Sequence, residues 1–162
     1  MAKGFKTIET ERLILRGIDE TDAELIVRWR SEPKVYRYFK SPHQITLKEH
    51  LNWYNNKYLI NNDRFDWICI EKKSGNRIGV FGLYREDDVA EVNYLLAPEA
   101  QHKGYAAEAI QGLVNYAATD WNSKQVVAEI HAENQPSIAL VQKLGFELIS
   151  REESFVIYGI GV

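Results

Sequence analysis

The segment Gln101-His102-Lys103-Gly104-Tyr105-Ala106 sets a glycine, a cation and a small residue at the start of a helical pattern. A helix N-terminus offers unpaired N–H groups and a partial positive charge. Gly104 lets the backbone approach a ligand closely, and Ala106 keeps space open behind it. Such a turn suits a pyrophosphate. Taken alone it equally suits an ordinary strand–helix connection. It is not a GxxxxGK(S/T) nucleotide loop, because the second half of that pattern is missing. Cys69 lies inside a β-rich run and reads as a small buried hydrophobe rather than a nucleophile. As the single cysteine it also excludes an intramolecular disulfide framework and a cysteine-built zinc site.

These residues sit in a chain of 162 residues with a formal net charge of −3. That balance argues against a nucleic-acid partner, which would need a basic field. Met1 to Thr10 hold no apolar signal-peptide core, and no run is long enough to span a bilayer, so no membrane partner is expected. The expectation is a cytoplasmic, soluble enzyme or binding protein, folded as one domain over 1–162. Nine of the 19 aromatic residues fall between Trp29 and Trp67.

Arg12 to Ile18 is a β-rich first strand. Asp19 to Glu32 has helical spacing, with Asp19 or Thr21 as a cap and Pro33 after its end. Thr46 and Glu49 form a capping box that opens a second helix running to Leu59. Strands are predicted over 65–71, 77–84 and 89–96, forming an antiparallel meander. A helix follows over 105–119, then a strand over 125–132. Another helix spans 136–144, with Pro136 in its first turn and Gly145 past its end. Two terminal strands, 146–150 and 154–160, pair with each other. Strand, helix, strand in this half suggests a parallel crossover on an otherwise antiparallel sheet.

In that order the sequence resembles the GNAT superfamily of acetyl-CoA-dependent N-acetyltransferases. The resemblance rests on Thr10-Glu11-Arg12-Leu13-Ile14-Leu15-Arg16, Gln101-x-x-Gly104-x-Ala106, Asn134-x-x-Ser137 and Leu144-Gly145-Phe146. These look like the branch that acetylates ribosomal-protein N-termini. The resemblance implies an α/β (α+β) fold: a mixed, mostly antiparallel sheet with a V-shaped splay, flanked by about four helices. It implies acetyl-CoA as co-substrate and no metal. Pantetheine would pair with the backbone of Leu95, Leu96 and Ala97. The pyrophosphate would sit on amides of Gln101, His102, Lys103, Gly104, Tyr105 and Ala106. Asn134 would hydrogen-bond the pantetheine arm, and Lys103 would add charge near the phosphates or simply be solvated.

The implied reaction is acetyl transfer from a thioester to a deprotonated amine. Strand alternation puts Glu91, Asn93 and Leu95 on one face and Val92, Tyr94 and Leu96 on the other. Glu91 is then a candidate base on the acceptor side, or a solvent-facing strand carboxylate. His131, in the row Glu129, His131 and Glu133, is the alternative base. Many superfamily members carry a tyrosine acid three residues before Leu-Gly-Phe; here that position is Val141. Ser137 is suggested instead, although it would also help cap the helix beginning near Pro136.

The acceptor would lie under the aromatic-rich segment. Arg28-Trp29-Arg30 and Glu49-His50-x-x-Trp53 also look like acetyltransferases of nucleotide-linked amino sugars. Trp29, Arg30, Tyr38 and Trp53 are the candidate acceptor contacts, with most of the other rings assigned to the core. The acceptor amine is a protein N-terminus or a small molecule. A non-catalytic acyl-CoA-binding or sensing domain is the reading of another class. A homodimer is possible.

Overall fold

The structure is a computed structural model that describes Lys3 and residues 6–162; Met1, Ala2, Gly4 and Phe5 lie outside the described residues. Among the described residues eight strands form one sheet in the order β1-β2-β3-β4-β5-β6-β8-β7. They are β1 (Ile8–Glu9), β2 (Leu13–Gly17), β3 (Arg64–Glu71), β4 (Arg77–Glu86), β5 (Val89–Leu96), β6 (Gln125–His131), β7 (Glu147–Glu152) and β8 (Phe155–Gly161). Among the neighbours only β5 and β6 run parallel. Among the described residues five α-helices accompany the sheet, α1 (Ala23–Arg30), α2 (Pro33–Tyr36), α3 (Leu47–Trp53), α4 (Tyr105–Thr119) and α5 (Gln135–Lys143), against the expected four or so. The added one, α2, is a single turn opened by Pro33, which the sequence marks only as the stop of the helix before it.

Local chemistry explains the boundaries. Asp19 caps a 3-10 turn, Glu20–Asp22, and α1 follows from it. Thr46 and Glu49 close the predicted capping box on α3. The α-helix expected to reach Leu59 ends at Trp53 and widens into a π turn, Tyr54–Tyr58, closed by Leu59 N–H on the Tyr54 carbonyl at 3.1 Å. The wider turn lets the Tyr54 and Tyr58 rings both reach the core and stack, 5.6 Å apart. On α4, Tyr105, Ala109, Ile110, Leu113 and Ala117 form a buried stripe at helical spacing.

Cross-strand register assigns two faces. Leu13, Leu15, Trp67, Cys69, Phe81 and Leu83 project on one, against α4. Arg64, Asp66, Glu91, Asn93 and Glu129 project on the other. No helix of the described residues is long and apolar enough to cross a membrane.

Candidate active site

The parallel pairing of β5 with β6 covers only Val89↔Gln125, Ala90↔Val126 and Glu91↔Val127. Beyond Glu91 the two strands separate; the far half of β5 keeps its ladder bonds to β4, and the Leu96 carbonyl accepts from Gln101 Nε2 at 3.5 Å. A cavity of about 450 Å³ lies at this split. Backbone N–H and C=O groups facing a split sheet need a partner, and an extended amide-bearing ligand can supply one as an added strand.

The cavity floor is the start of α4. Gly104 caps that helix at φ +80°, a left-handed conformation in which a Cβ would be strained. The first return bond is Glu108 N–H to the Gly104 carbonyl, so the amides of Tyr105, Ala106 and Ala107 have no helical acceptor. Arg12 locks this loop in place. Its Nη1 donates to the Lys103 carbonyl at 2.9 Å, its Nε to Glu108 Oε1 at 2.7 Å, and its guanidinium lies 4.4 Å from the Tyr105 ring centre. Tyr105 OH in turn donates to Glu71. Sequence reasoning nominated Lys103 as the cation of the loop. Lys103 is exposed and does not line the cavity, whereas Arg12, just before β2 and 91 residues earlier, reaches the loop.

The opposite wall is α5. Asn134 caps it, accepting Ser137 N–H on Oδ1 at 3.4 Å, which leaves the Asn134 amide NH₂ free to donate. Ser137 is nearly buried, and its Oγ lies 2.7 Å from Tyr94 OH. Tyr94 stacks on Phe81 with ring centres 5.5 Å apart, and burial raises its phenol above the ordinary range. Sequence reasoning passed over Tyr94, noting it only as one face of a strand. Tyr94 and Ser137 are 43 residues apart in sequence, so no local pattern joins them. Val141, where a tyrosine acid was expected by resemblance, is buried at 1% exposure and does not line the cavity.

The cavity brings together Leu95, Leu96, Gln101, His102, Gly104 and Tyr105 of the expected cofactor residues, with Ala106, Asn134 and Ser137. Ala97 does not join them: it is fully buried, and its N–H already donates to the Ile78 carbonyl at 2.8 Å. Of the expected acceptor contacts, Tyr38 lines the cavity and lies 5.5 Å from the His131 ring. Trp29 is 4% exposed and belongs to the core, because the buried side of α1 turns it inward. Trp53 is half-buried between the rings of His50 and Tyr58, with the Arg64 guanidinium over its face at 4.9 Å. Arg30 is half-buried against Phe39.

Glu91 lies on the face away from α4. Burial raises its pKa, the charge of Glu129 raises it further, and Lys40 and Arg64 oppose the rise. Lys40 Nζ sits 2.6 Å from Glu129. His131 Nδ1 accepts the Glu133 N–H at 3.1 Å, so the one lone pair of a neutral ring is occupied. Cys69 is fully buried, and that burial, then the Glu108 charge, pushes its thiol up to about 12. A thiol so placed is protonated at neutral pH and out of reach of a substrate.

Residues 12–147 match a family model described as an acetyltransferase (GNAT) domain. An uncharacterized N-acetyltransferase, p20, of Bacillus licheniformis is 30% identical over 148 residues, covering 88% of this chain and 83% of its own. The fold superposes on spermidine N-acetyltransferase from Vibrio cholerae in complex with CoA and spermine, with a TM-score of 0.83 and 22% identity over 94% of this chain and 96% of that one. It superposes equally on a ribosomal L7/L12 α-N-protein acetyltransferase in complex with coenzyme A, with a TM-score of 0.84 and 16% identity over 97% and 98%.

Proposed function

The chain belongs to the GNAT acetyltransferase family, and on that premise we propose that it moves an acetyl group from acetyl-CoA to a primary amine by direct attack in a ternary complex. The observation that carries this is the meeting, in one cavity, of the β5–β6 split, the free amides after Gly104 and the Tyr94–Ser137 hydroxyl pair. The cavity residues fit the co-substrate. Unpaired amides of α4 suit the pyrophosphate, the split strand edge and Asn134 suit the pantetheine amides, and Gly104 allows close approach.

In the proposed reaction the acceptor ammonium gives a proton to Glu91, directly or through water. A carboxylate whose pKa is raised is better matched to that transfer than an ordinary one. The amine nitrogen attacks the thioester carbonyl, the C–N bond forms and the C–S bond breaks. Ser137, accepting from Tyr94, donates its hydroxyl proton to the departing thiolate, and the second proton, lost by the nitrogen as the amide forms, returns through water to the Ser137 oxygen. The occupied Nδ1 of His131 and the buried thiol of Cys69 favour Glu91 as the base and transfer without an acetyl-cysteine.

The acceptor is a small-molecule amine or a protein N-terminus. The aminosugar-nucleotide signature of Arg30, His50 and Trp53 supports the small molecule. Release of free CoA thiol, measured over a panel of N-terminal peptides, polyamines and amino sugars, tests the function. Thermal stabilisation by acetyl-CoA, about 2.7 kcal/mol at 100-fold excess over Kd, together with no thiol release above hydrolysis, would make the chain an acyl-CoA-binding domain instead.

A further inference from the structure

One guanidinium holds both ends of the turn that opens α4. Arg12 Nη1 donates to the Lys103 carbonyl, and its Nε donates to Glu108 Oε1. The Arg12 backbone N–H donates to the other Glu108 oxygen at 2.8 Å, where the Thr10 hydroxyl joins it. The backbone consequence falls on Gly104. No peptide bond among the described residues is cis, and in a trans peptide the N–H points opposite to the C=O of the same amide. With the Lys103 carbonyl turned to Arg12, the Gly104 N–H faces away from Arg12. That N–H has no hydrogen-bond acceptor among the described residues. Gly104 lines the cavity, and Arg12 does not.

Glu108 sets an electrostatic problem at the same place. It stands in the first turn of α4, where the helix dipole favours an anion. Burial opposes its charge, but the Thr10 hydroxyl, the Arg12 N–H and the Arg12 guanidinium outweigh burial and hold its pKa below the ordinary carboxylate value. An ionised carboxylate there repels a diphosphate unless a cation cancels it. Arg12 supplies that cation at 2.7 Å. We propose that Arg12 is a positioning residue for the cofactor pyrophosphate: it aims the Gly104 amide into the cavity and cancels the Glu108 charge, without itself touching the cofactor. The inference rests on acetyl-CoA as the co-substrate. Lysine could not replace it, because a single ammonium lacks the planar fork that serves a carbonyl and a carboxylate at once. Both side chains of the pair keep some exposure, so the pair contributes little to the stability of the fold.

Two measurements test this. The first is the calorimetric Kd for CoA in wild type, Arg12→Gln, Arg12→Lys and the double variant Arg12→Gln/Glu108→Gln, with thermal melts of the ligand-free proteins beside it. Arg12→Gln is expected to weaken CoA by roughly tenfold, the scale of one charge-assisted hydrogen bond, while its ligand-free melting temperature moves little. Arg12→Lys is expected to regain only part of that loss. The double variant is expected to bind CoA more tightly than Arg12→Gln, because the uncancelled carboxylate is gone. The second measurement uses two acetyl donors that differ in the pyrophosphate, acetyl-CoA and S-acetylpantetheine, with an amine that supports thiol release in wild type. The ratio of kcat/KM for acetyl-CoA to that for S-acetylpantetheine is expected to fall roughly tenfold in Arg12→Gln, through the KM for acetyl-CoA. A merely structural role would lower both donors alike and leave the ratio unchanged. An unchanged ratio, an unchanged CoA Kd in Arg12→Gln, full rescue by Arg12→Lys, or a double variant no tighter than the single one overturns the positioning role and leaves acetyl transfer standing. A wild-type protein that binds no CoA overturns transfer from acetyl-CoA, and this inference with it.

Discussion

The phenol of Tyr94 on β5 and the hydroxyl of Ser137 on α5 lie 2.7 Å apart inside the cavity between those elements. Either atom can be the donor. With Tyr94 donating, the Ser137 hydrogen is free for a departing sulfur, and burial keeps the phenol protonated above its ordinary range. Ser137→Ala is expected to lower kcat on the order of 10²-fold, the lower end for an acid, since a thiolate is a tolerable leaving group. Tyr94→Phe should lower kcat less and leave the KM for acetyl-CoA near its wild-type value. The double variant should be no slower than Ser137→Ala alone, because the two hydroxyls act as one unit. Initial rates of thiol release on the three variants measure this; additive losses would separate the residues.

The pH dependence of Glu91 has a sign that neighbours can reverse. Burial first and the Glu129 charge second raise its pKa, and Lys40 opposes them. Glu129→Gln should therefore move the acid limb of the kcat/KM profile to lower pH. Lys40→Met should move it to higher pH. Glu91→Gln should flatten that limb and lower turnover while acetyl-CoA binding persists, which calorimetry of cofactor binding checks independently.

Gly104 and Asn134 should separate cofactor binding from folding. Gly104→Ala forces a Cβ into a φ of +80° and within 3.3 Å of Arg12 Nη2. The expected cost is about 1 kcal/mol of stability together with weaker CoA binding. Asn134→Ala should lose both the α5 cap, about 1 kcal/mol, and CoA affinity. Asn134→Asp should keep the cap and still weaken CoA, because a carboxylate cannot donate to pantetheine. Thermal melts with and without CoA distinguish the two effects.

Asp22 should govern acid stability. It is fully buried, and burial alone would raise its pKa. Hydrogen bonds from Arg16, the Asp19 N–H and Arg77 outweigh that and hold it below the ordinary carboxylate value. A lowered carboxylate stabilises the fold above its unfolded pKa, and that stability is lost as pH falls through the carboxylate range. Asp22→Ala should cost about 3 kcal/mol at neutral pH, because two guanidiniums lose their shared partner. Urea melts at pH 7 and pH 3 should show the variant's deficit shrinking at the lower pH.

Local sequence was sufficient wherever the governing interaction is local. Capping residues, the helical stripe of α4, the alternation of β5 and the Gly104 turn are all set by residues within a few positions of one another. They specified the strand and helix order, the GNAT fold and the left-handed turn at Gly104. The tertiary structure decided what depends on distant partners. Tyr94 and Ser137, Arg12 and the Lys103 carbonyl, and Arg16, Asp22 and Arg77 each join segments that no periodicity links. Packing also divided the aromatic segment, sending Trp29 to the core and Tyr38 to the cavity, although a sequence shows the two as the same kind of residue. Whether a side chain is core or contact is settled by which face meets a neighbour and which meets the split between β5 and β6. That split exists only because pairing stops after Glu91.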